Sequence, residues 1–253
     1  MAAPERRAVE VAVGVLVRPD GTVLAGSRPE GKPYAGYWEF PGGKLEQDET
    51  PEMALAREMR EELDLEVRSA SPWFVRVLDY PHARVRLHFL KSDDWSGEPR
   101  AMEGQSFGFF PWNGLPEGKI LPLVEQVFGW TRLPAVAARV SADFADQRLM
   151  AAYQAGARLF FFEEPFEGAL PEDAWAGSDG FFIRAGEPRF RGGAAAAPET
   201  LKAMAEAGAD FALVPNSVQL LYENPLPLYR EAESAAEAAA ARRQGWQGVW
   251  LRF

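Results

Sequence analysis

Cysteine is absent from this 253-residue chain, which excludes disulfides, thiolate nucleophiles and cysteine-ligated zinc. Histidine is nearly absent: His82 and His88 are the only two, so the second half has no imidazole base or ligand. No apolar run approaches the ~20 residues of a membrane-crossing helix. The first seven residues are polar and charged and lead into no long apolar run, so no signal peptide is expected. Cytoplasm is the expected location, with no membrane partner. Basic residues are outnumbered, 27 against 37 acids, for a net charge of -10. Proteins that grip DNA or RNA by its phosphates carry the opposite balance, so no nucleic-acid polymer is expected as a partner. A small polyphosphate remains compatible, provided that metal ions stand between the two negative charges.

What is present describes an ordinary globular chain, 47% hydrophobic and 25% charged. Its length favours two domains. Residues 9–17 are valine-rich and read as a buried strand. Asp20-Gly21 then signals a turn, and residues 23–25 read as the second arm of a hairpin. A short extended piece at residues 38–40 ends in Pro41-Gly42-Gly43. Thr50-Pro51 has the form of an N-cap followed by proline at the first helical position, opening a helix to about residue 63. Strands are expected at residues 73–78, 85–90 and 108–111, and a closing helix at residues 121–130.

Residues 131–134 mark the expected boundary, giving domains 1–132 and 133–253. Beyond it the chain becomes alanine-rich. Strands are expected at residues 136–140, 159–162, 180–184, 211–214 and 249–253, and helices at residues 146–155, 200–207 and 231–243. Gly156 and Gly208 each look like a helix stop leading straight into a buried strand. Repeated joints of that kind favour a parallel α/β domain. At roughly 120 residues it falls well below the ~250 of a full eight-stranded βα barrel.

One stretch, residues 43–65, carries chemistry. At helical spacing Glu58, Glu61 and Glu62 fall on one side, beside a core-facing stripe of Leu55, Met59 and Leu63. Like charges at such spacing repel by roughly 0.2–0.5 kcal/mol per pair on an exposed helix. A hard divalent cation reverses the sign, because Mg²⁺ takes oxygen ligands and is commonly shared between carboxylates and phosphates. A solvated acidic face is the bland alternative. Gly42 and Gly43 let backbone approach a ligand closely. Glu49 and Arg57 are positioned to pair and hold the loop to the helix.

The run fits the pattern Gly-x5-Glu-x7-Arg-Glu-U-x-Glu-Glu-x-Gly-U, with U a bulky aliphatic residue. Gly43, Glu49, Arg57, Glu58, Met59, Glu61, Glu62 and Leu65 match, and Asp64 stands where the pattern has glycine. That position ends the helix, where Asp tolerates the left-handed conformation better than most residues. The chain thus resembles the Nudix hydrolases over residues 9–133. Trp38-Glu39-Phe40-Pro41-Gly42-Gly43-Lys44 and Glu103-Gly104-Gln105 look like its MutT branch, which removes oxidised purine triphosphates, chiefly 8-oxo-dGTP.

The resemblance implies an α/β/α sandwich with a mixed sheet. It implies hydrolysis of a nucleoside triphosphate to monophosphate and pyrophosphate, with Mg²⁺ (Mn²⁺ as the alternative) held by Glu58, Glu61, Glu62, Glu103 and the Gly42 carbonyl. Glu58 would accept the proton of the attacking water or bind the metal that does so. Arg28 and Lys44 would meet the phosphates, Tyr80 would stack on the base, and Glu39 would join the substrate contacts. Val124 occupies the place of the asparagine that reads the oxidised purine in that branch, and valine cannot pair with a base. Asn113 is the nearest other amide.

Residues 207–214 resemble thiamine-phosphate-synthase-like (TenI-type) domains, which implies a partial, degenerate barrel as a structural or substrate-covering module. Arg191-Gly192-Gly193 reads as a turn where a phosphate loop would stand. The expected partner is a small nucleotide. The alternatives are another nucleoside-diphosphate substrate, a thiamine-pathway pyrophosphate, and a non-catalytic nucleotide sensor.

Overall fold

The computed structural model describes residues 8–80, 83–115, 117–141, 143, 145–162, 166, 168–177, 181–182, 190–217 and 224–253. The chain forms two compact units, Met1–Arg132 and Leu133–Phe253. No helix among the described residues is long and apolar enough to cross a membrane.

The first unit is built on β1 (Val9–Leu16), β2 (Val23–Ser27), β3 (Trp38–Glu39), β4 (Gly42–Lys44), α1 (Pro51–Leu63), β5 (Glu66–Asp79), β6 (Arg84–Ser96), β7 (Phe107–Phe110) and α2 (Val124–Trp130). One sheet runs β4-β1-β6-β5 and is mixed, with β1 and β6 parallel and the other pairs antiparallel. A second, antiparallel sheet runs β3-β2-β7. The expected hairpin of β1 and β2 forms only at its root. The turn closes by Arg18 N–H to the Thr22 carbonyl and a single bridge joins Val17 to Val23. The strands then part into different sheets, because β2 pairs with β3 and β7 instead. Strands β5 and β6 extend well past the apolar stretches expected for them, since their outer halves are half-exposed and carry no continuous hydrophobic signal.

Helix α1 has the expected start, with the Thr50 hydroxyl accepting from the Met53 N–H at 3.3 Å. Leu55 and Met59 are fully buried against Ala12, Leu24 and Leu90, worth roughly 1.5–3 kcal/mol for each large side chain. Asp64 ends the helix at φ 54° and ψ 34°, the left-handed cap expected of it. On the other face of the sheet, α2 presents Phe128 to Phe40 and Trp130 to Phe74. It begins at Val124 rather than at residue 121, because Leu121-Pro122-Leu123 turns before it and Leu123 sits at φ 73°.

The second unit contains β8 (Val136–Val140), α3 (Ala145–Gln154), β9 (Leu159–Phe162), β10 (Trp175–Gly177), β11 (Phe181–Phe182), β12 (Phe190–Ala194), α4 (Pro198–Glu206), β13 (Phe211–Val214), β14 (Leu228–Glu231), α5 (Ala238–Arg243) and β15 (Gly248–Arg252). Its sheet runs β10-β9-β8-β15-β14-β13-β12-β11, and every pair but β11–β12 is parallel. The last strand lies beside the first, as in a βα barrel, so the architecture is a partial barrel. Rings from opposite ends of the sheet meet: Trp175 of β10 touches Phe190 of β12, and Phe161 of β9 touches Phe182 of β11. The sheet therefore curls upon itself, and Phe211 and Tyr229 continue the ring contacts along its inner face.

Two expectations for this unit need correction. Arg191-Gly192-Gly193 lies within β12, not in a turn. A Cβ on Gly192 would stand 2.3 Å from the Phe211 ring, so glycine is there to admit the ring. The helix expected over residues 231–243 is shorter. Glu231 ends β14, and a 3₁₀ turn at Ala235–Glu237, capped by Ser234, leads into α5. Of the strand expected at residues 180–184, Phe181 and Phe182 are described and the remaining three lie outside the described residues.

Candidate active site

The loop after β4 and the helix α1 are tied together by Arg57. Its guanidinium grips the Glu49 carboxylate with two bonds, Nε to Oε1 at 2.8 Å and Nη2 to Oε2 at 2.9 Å. Nη2 also donates to the Lys44 carbonyl at 2.9 Å, and Nη1 donates to Glu58 Oε1 at 2.9 Å and to Glu61 Oε2 at 3.3 Å. Glu49 in turn accepts from the Glu46 N–H at 2.8 Å. The paired guanidinium holds the Glu49 carboxyl down at about 2, and these carboxylates raise Arg57 further above its already high value. A fork that engages both oxygens fixes orientation as well as distance. Arg57 thus aims Glu58 while pinning the loop.

Glu58 and Glu62 face a cleft of about 650 Å³. Their side chains are 15% and 16% exposed, whereas Glu61 is 60% exposed. The three carboxylates differ in burial rather than in company: Glu61 is the most exposed, yet its Oε2 and Glu58 Oε1 share Arg57 Nη1. Residues four apart are offset by about 40° on a helix, while Glu61 lies about 60° to the other side of Glu58. Glycines make room for this wall. A Cβ on Gly43 would fall 1.9 Å from Glu58 Oε1, so the loop closes over that carboxylate only because no side chain intervenes. Gly42 adopts φ 147°, and a Cβ there would meet the Ala12 carbonyl at 2.1 Å.

Burial pushes the Glu62 carboxyl up to about 7, with Glu58 and Glu103 adding to the rise and Lys32 and a backbone hydrogen bond from Gly42 opposing it. Glu103 stands across from Glu62 and is reached through Lys32, whose ammonium lies 3.0 Å from Glu103 Oε2 and 3.8 Å from Glu62 Oε1. Among the described residues no three acidic or histidine side chains converge as a ready-made metal cluster. Lys32 and Arg57 stand among the carboxylates. The donor set itself, carboxylate oxygens with Glu58 and Glu62 mostly buried, suits a hard divalent cation.

The far end of the cleft is apolar. Val9 and Val11 of β1, Val85 and Leu87 of β6, and Val124 and Leu121 near α2 line it. Alternation along β1 and β6 sends every second side chain into it. The polar groups in this wall are few. Arg28 is turned to Glu39, with which it forms a close ion pair, and its Nε donates to the Pro33 carbonyl at 2.7 Å. Burial raises the Glu39 carboxyl, with Arg28 pulling it the other way. Tyr80 lines the cleft with its ring 6.2 Å from that of Tyr34. Burial, and then Tyr34, raise its phenol.

The cleft therefore gathers Arg28, Glu39, Gly42, Gly43, Lys44, Glu58, Glu62 and Tyr80, all expected from sequence. Glu61 does not line the cleft but joins Glu58 on Arg57 Nη1, Glu49 and Arg57 stand behind as a brace, and Asn113 does not line the cleft. His82 lies outside the described residues. Sequence reasoning missed Lys32 and Tyr34, which sit in the loop before β3 with no local pattern. It also missed the β1–β6 wall, whose period-two alternation of valine and leucine was legible.

Comparison with known proteins agrees with this geometry. A model of the NUDIX domain matches residues 8–130. An 8-oxo-dGTP diphosphatase of Proteus vulgaris is 34% identical over 100 residues, which cover 40% of this chain and 89% of that protein. An 8-oxo-dGTP diphosphatase of Haemophilus influenzae is 32% identical over 118 residues, 47% of this chain and 87% of that protein. A CTP pyrophosphohydrolase of Escherichia coli is 36% identical over 98 residues, 39% of this chain and 72% of that protein.

Proposed function

The chain belongs to the Nudix family of hydrolases through residues 8–130, and from that premise we propose that it is a divalent-cation-dependent pyrophosphohydrolase of nucleoside triphosphates, with oxidised purine nucleotides such as 8-oxo-dGTP as substrates. The observation that carries the reading is a single cleft with Glu58 and Glu62 at one end and an apolar wall broken by Arg28 and Glu39 at the other. Such a cleft suits a molecule that is polyanionic at one end and flat and aromatic at the other.

Glu58, Glu62 and Glu103, with Glu61 and the Gly42 carbonyl, would hold the cation, Mg²⁺ or Mn²⁺. When bound, the cation neutralises phosphate charge and lowers the pKa of water. Glu58, aimed by Arg57, accepts the proton of a water that attacks a phosphorus of the triphosphate. The bond from that phosphorus to its bridging oxygen breaks, and pyrophosphate leaves. Lys44, on the cleft wall, meets the phosphate charge. Tyr80 stacks on the base, and the Arg28–Glu39 pair offers a donor and an acceptor to its edge.

That pair also supports a second substrate, a cytosine nucleotide. A buried carboxylate is a good acceptor for an exocyclic amino group, and Val124 supplies no amide to read an oxidised purine. The second unit we read as a degenerate TenI-like barrel with a structural or substrate-covering role, since aromatic rings fill its interior. Turnover in a thiamine-phosphate-synthase assay of the full chain would contradict that role.

The main test is a panel of 8-oxo-dGTP, dGTP, CTP and thiamine diphosphate with Mg²⁺ or Mn²⁺, following pyrophosphate or phosphate release. Pyrophosphate release from at least one nucleoside triphosphate is expected. The Glu58→Gln variant is expected to fold normally and lose about 10²–10⁴ in kcat; full activity in that variant removes Glu58 from the role given to it.

A further inference from the structure

We propose that Lys32 is a tethered counter-ion that competes with the divalent cation for Glu62 and Glu103, so that metal and nucleotide phosphates bind best together. The proposal rests on the reading of Glu58, Glu62 and Glu103 as the cation site and goes beyond it by assigning the gatekeeper.

Lys32 comes from an element separate from every carboxylate it meets. It projects from the loop between β2 and β3, and its ammonium bridges Glu103 at 3.0 Å and Glu62 at 3.8 Å. The loop is held in place by its own bonds. Arg28 N–H donates to the Tyr37 carbonyl at 2.9 Å, Gly36 N–H donates to the Arg28 carbonyl at 2.9 Å, and the Arg28 side chain ties to the Pro33 carbonyl. Gly31 at φ 86° permits the bend just before Lys32. The Lys32 backbone is thus anchored in a closed loop, from which its ammonium reaches both carboxylates.

The local charges make this position consequential. Arg57 already serves Glu49, Glu58 and Glu61, and among the described residues Lys32 is the cation paired with Glu62 and Glu103. A divalent cation taking oxygen ligands from these two carboxylates must displace that ammonium. Lysine is a compact charge on a flexible stem, able to pivot to a new partner without loss of its charge. Lys32 lines the same cleft as Lys44, so phosphate oxygens arriving there offer it that partner. Metal and polyphosphate then assist each other, and by linkage the assistance is mutual.

The test is calorimetric titration of the full chain with Mn²⁺ alone, then with Mn²⁺ in the presence of a non-hydrolysable nucleoside triphosphate analogue. Lys32→Met is expected to bind Mn²⁺ alone about fivefold more tightly than the natural protein, the scale of one half-exposed charge pair. The extra Mn²⁺ affinity conferred by the analogue should shrink by a similar factor. Lys32→Arg keeps the charge and should restore most of the natural behaviour, which a merely structural role for the side chain would not predict. Unchanged Mn²⁺ affinity in Lys32→Met overturns the proposal. Glu62→Gln separates the two ideas. If it weakens Mn²⁺ binding while Lys32→Met has no effect, only the counter-ion role falls. If neither changes Mn²⁺ binding, the cation site itself is misplaced and both fall.

Discussion

The two units use the same device, a glycine beside a concave surface, to opposite ends. In the first unit Gly43 leaves space that the Glu58 carboxylate takes, and the cleft beside it stays open at about 650 Å³. In the second unit Gly192 leaves space that the Phe211 ring takes, and Phe182, Phe211 and Tyr229 pack together on the inner face of the sheet. Aromatic packing of an interior contributes stability; an open cleft keeps charged groups available and gives up that packing. The difference teaches that a barrel-like strand order says little about function until the inward side chains are known.

The sharpest way to break this comparison is a pair of variants. Glu58→Gln should cost activity, as above, with melting unchanged. Phe211→Ala should do the reverse, lowering the stability of the second unit by about 3–5 kcal/mol, the usual cost of emptying a buried phenylalanine site. Differential scanning calorimetry together with turnover at low temperature checks both. If Phe211→Ala melts like the natural protein, the inner face is not the packed core described here.

A smaller effect is expected at Val124, which is buried and lines the cleft. Val124→Asn places a donor and an acceptor in the apolar wall. It should shift the ratio of kcat/KM for 8-oxo-dGTP over dGTP by about tenfold toward the oxidised base, as a gained hydrogen-bonding pair would. A ratio that stays put would mean that the base edge does not reach residue 124.

Alkaline pH should distinguish the units more gently. Burial raises the Tyr229 phenol well above its ordinary value of 10, and its hydroxyl donates to the Pro134 carbonyl at 2.6 Å. Below pH 10 the phenol is neutral in both the folded and the unfolded chain, so its contribution to stability is fully present. As pH rises past 10 the unfolded chain releases the proton first, and the second unit loses about 1.4 kcal/mol per pH unit from this group. Urea melts of the natural protein and of Tyr229→Phe between pH 9 and about 11 should diverge in slope; parallel slopes would contradict the assignment.

Much of the first unit was legible because its signals are local. Thr50-Pro51 caps a helix within four residues, and the Leu55, Met59 and Leu63 stripe orients it. The pairing of Glu49 with Arg57 needs only the loop-to-helix geometry that the spacing implies. The second unit yielded its apolar strands β8, β9, β13 and β15, but hid β10, β12 and β14. β10 and β12 carry glycine and β14 ends in Arg230-Glu231, so they become strands through their neighbours rather than through their own composition.

Residues 43–65, read alone, determined that this protein carries an acid-lined helix braced by an arginine, and with it the family and the reaction class. Contiguous residues on one helix and its leading loop keep their relation in any context, because helix geometry fixes it. Only the tertiary structure decided that Glu61 is more exposed than Glu58 and Glu62, that Val9, Val11, Val85 and Leu87 form one wall, and that Lys32 reaches Glu62 and Glu103. These contacts join positions from 30 residues apart, Lys32 and Glu62, to 76 apart, Val9 and Val85, and their geometry follows from how strands pair and loops close, which no local pattern in the chain records.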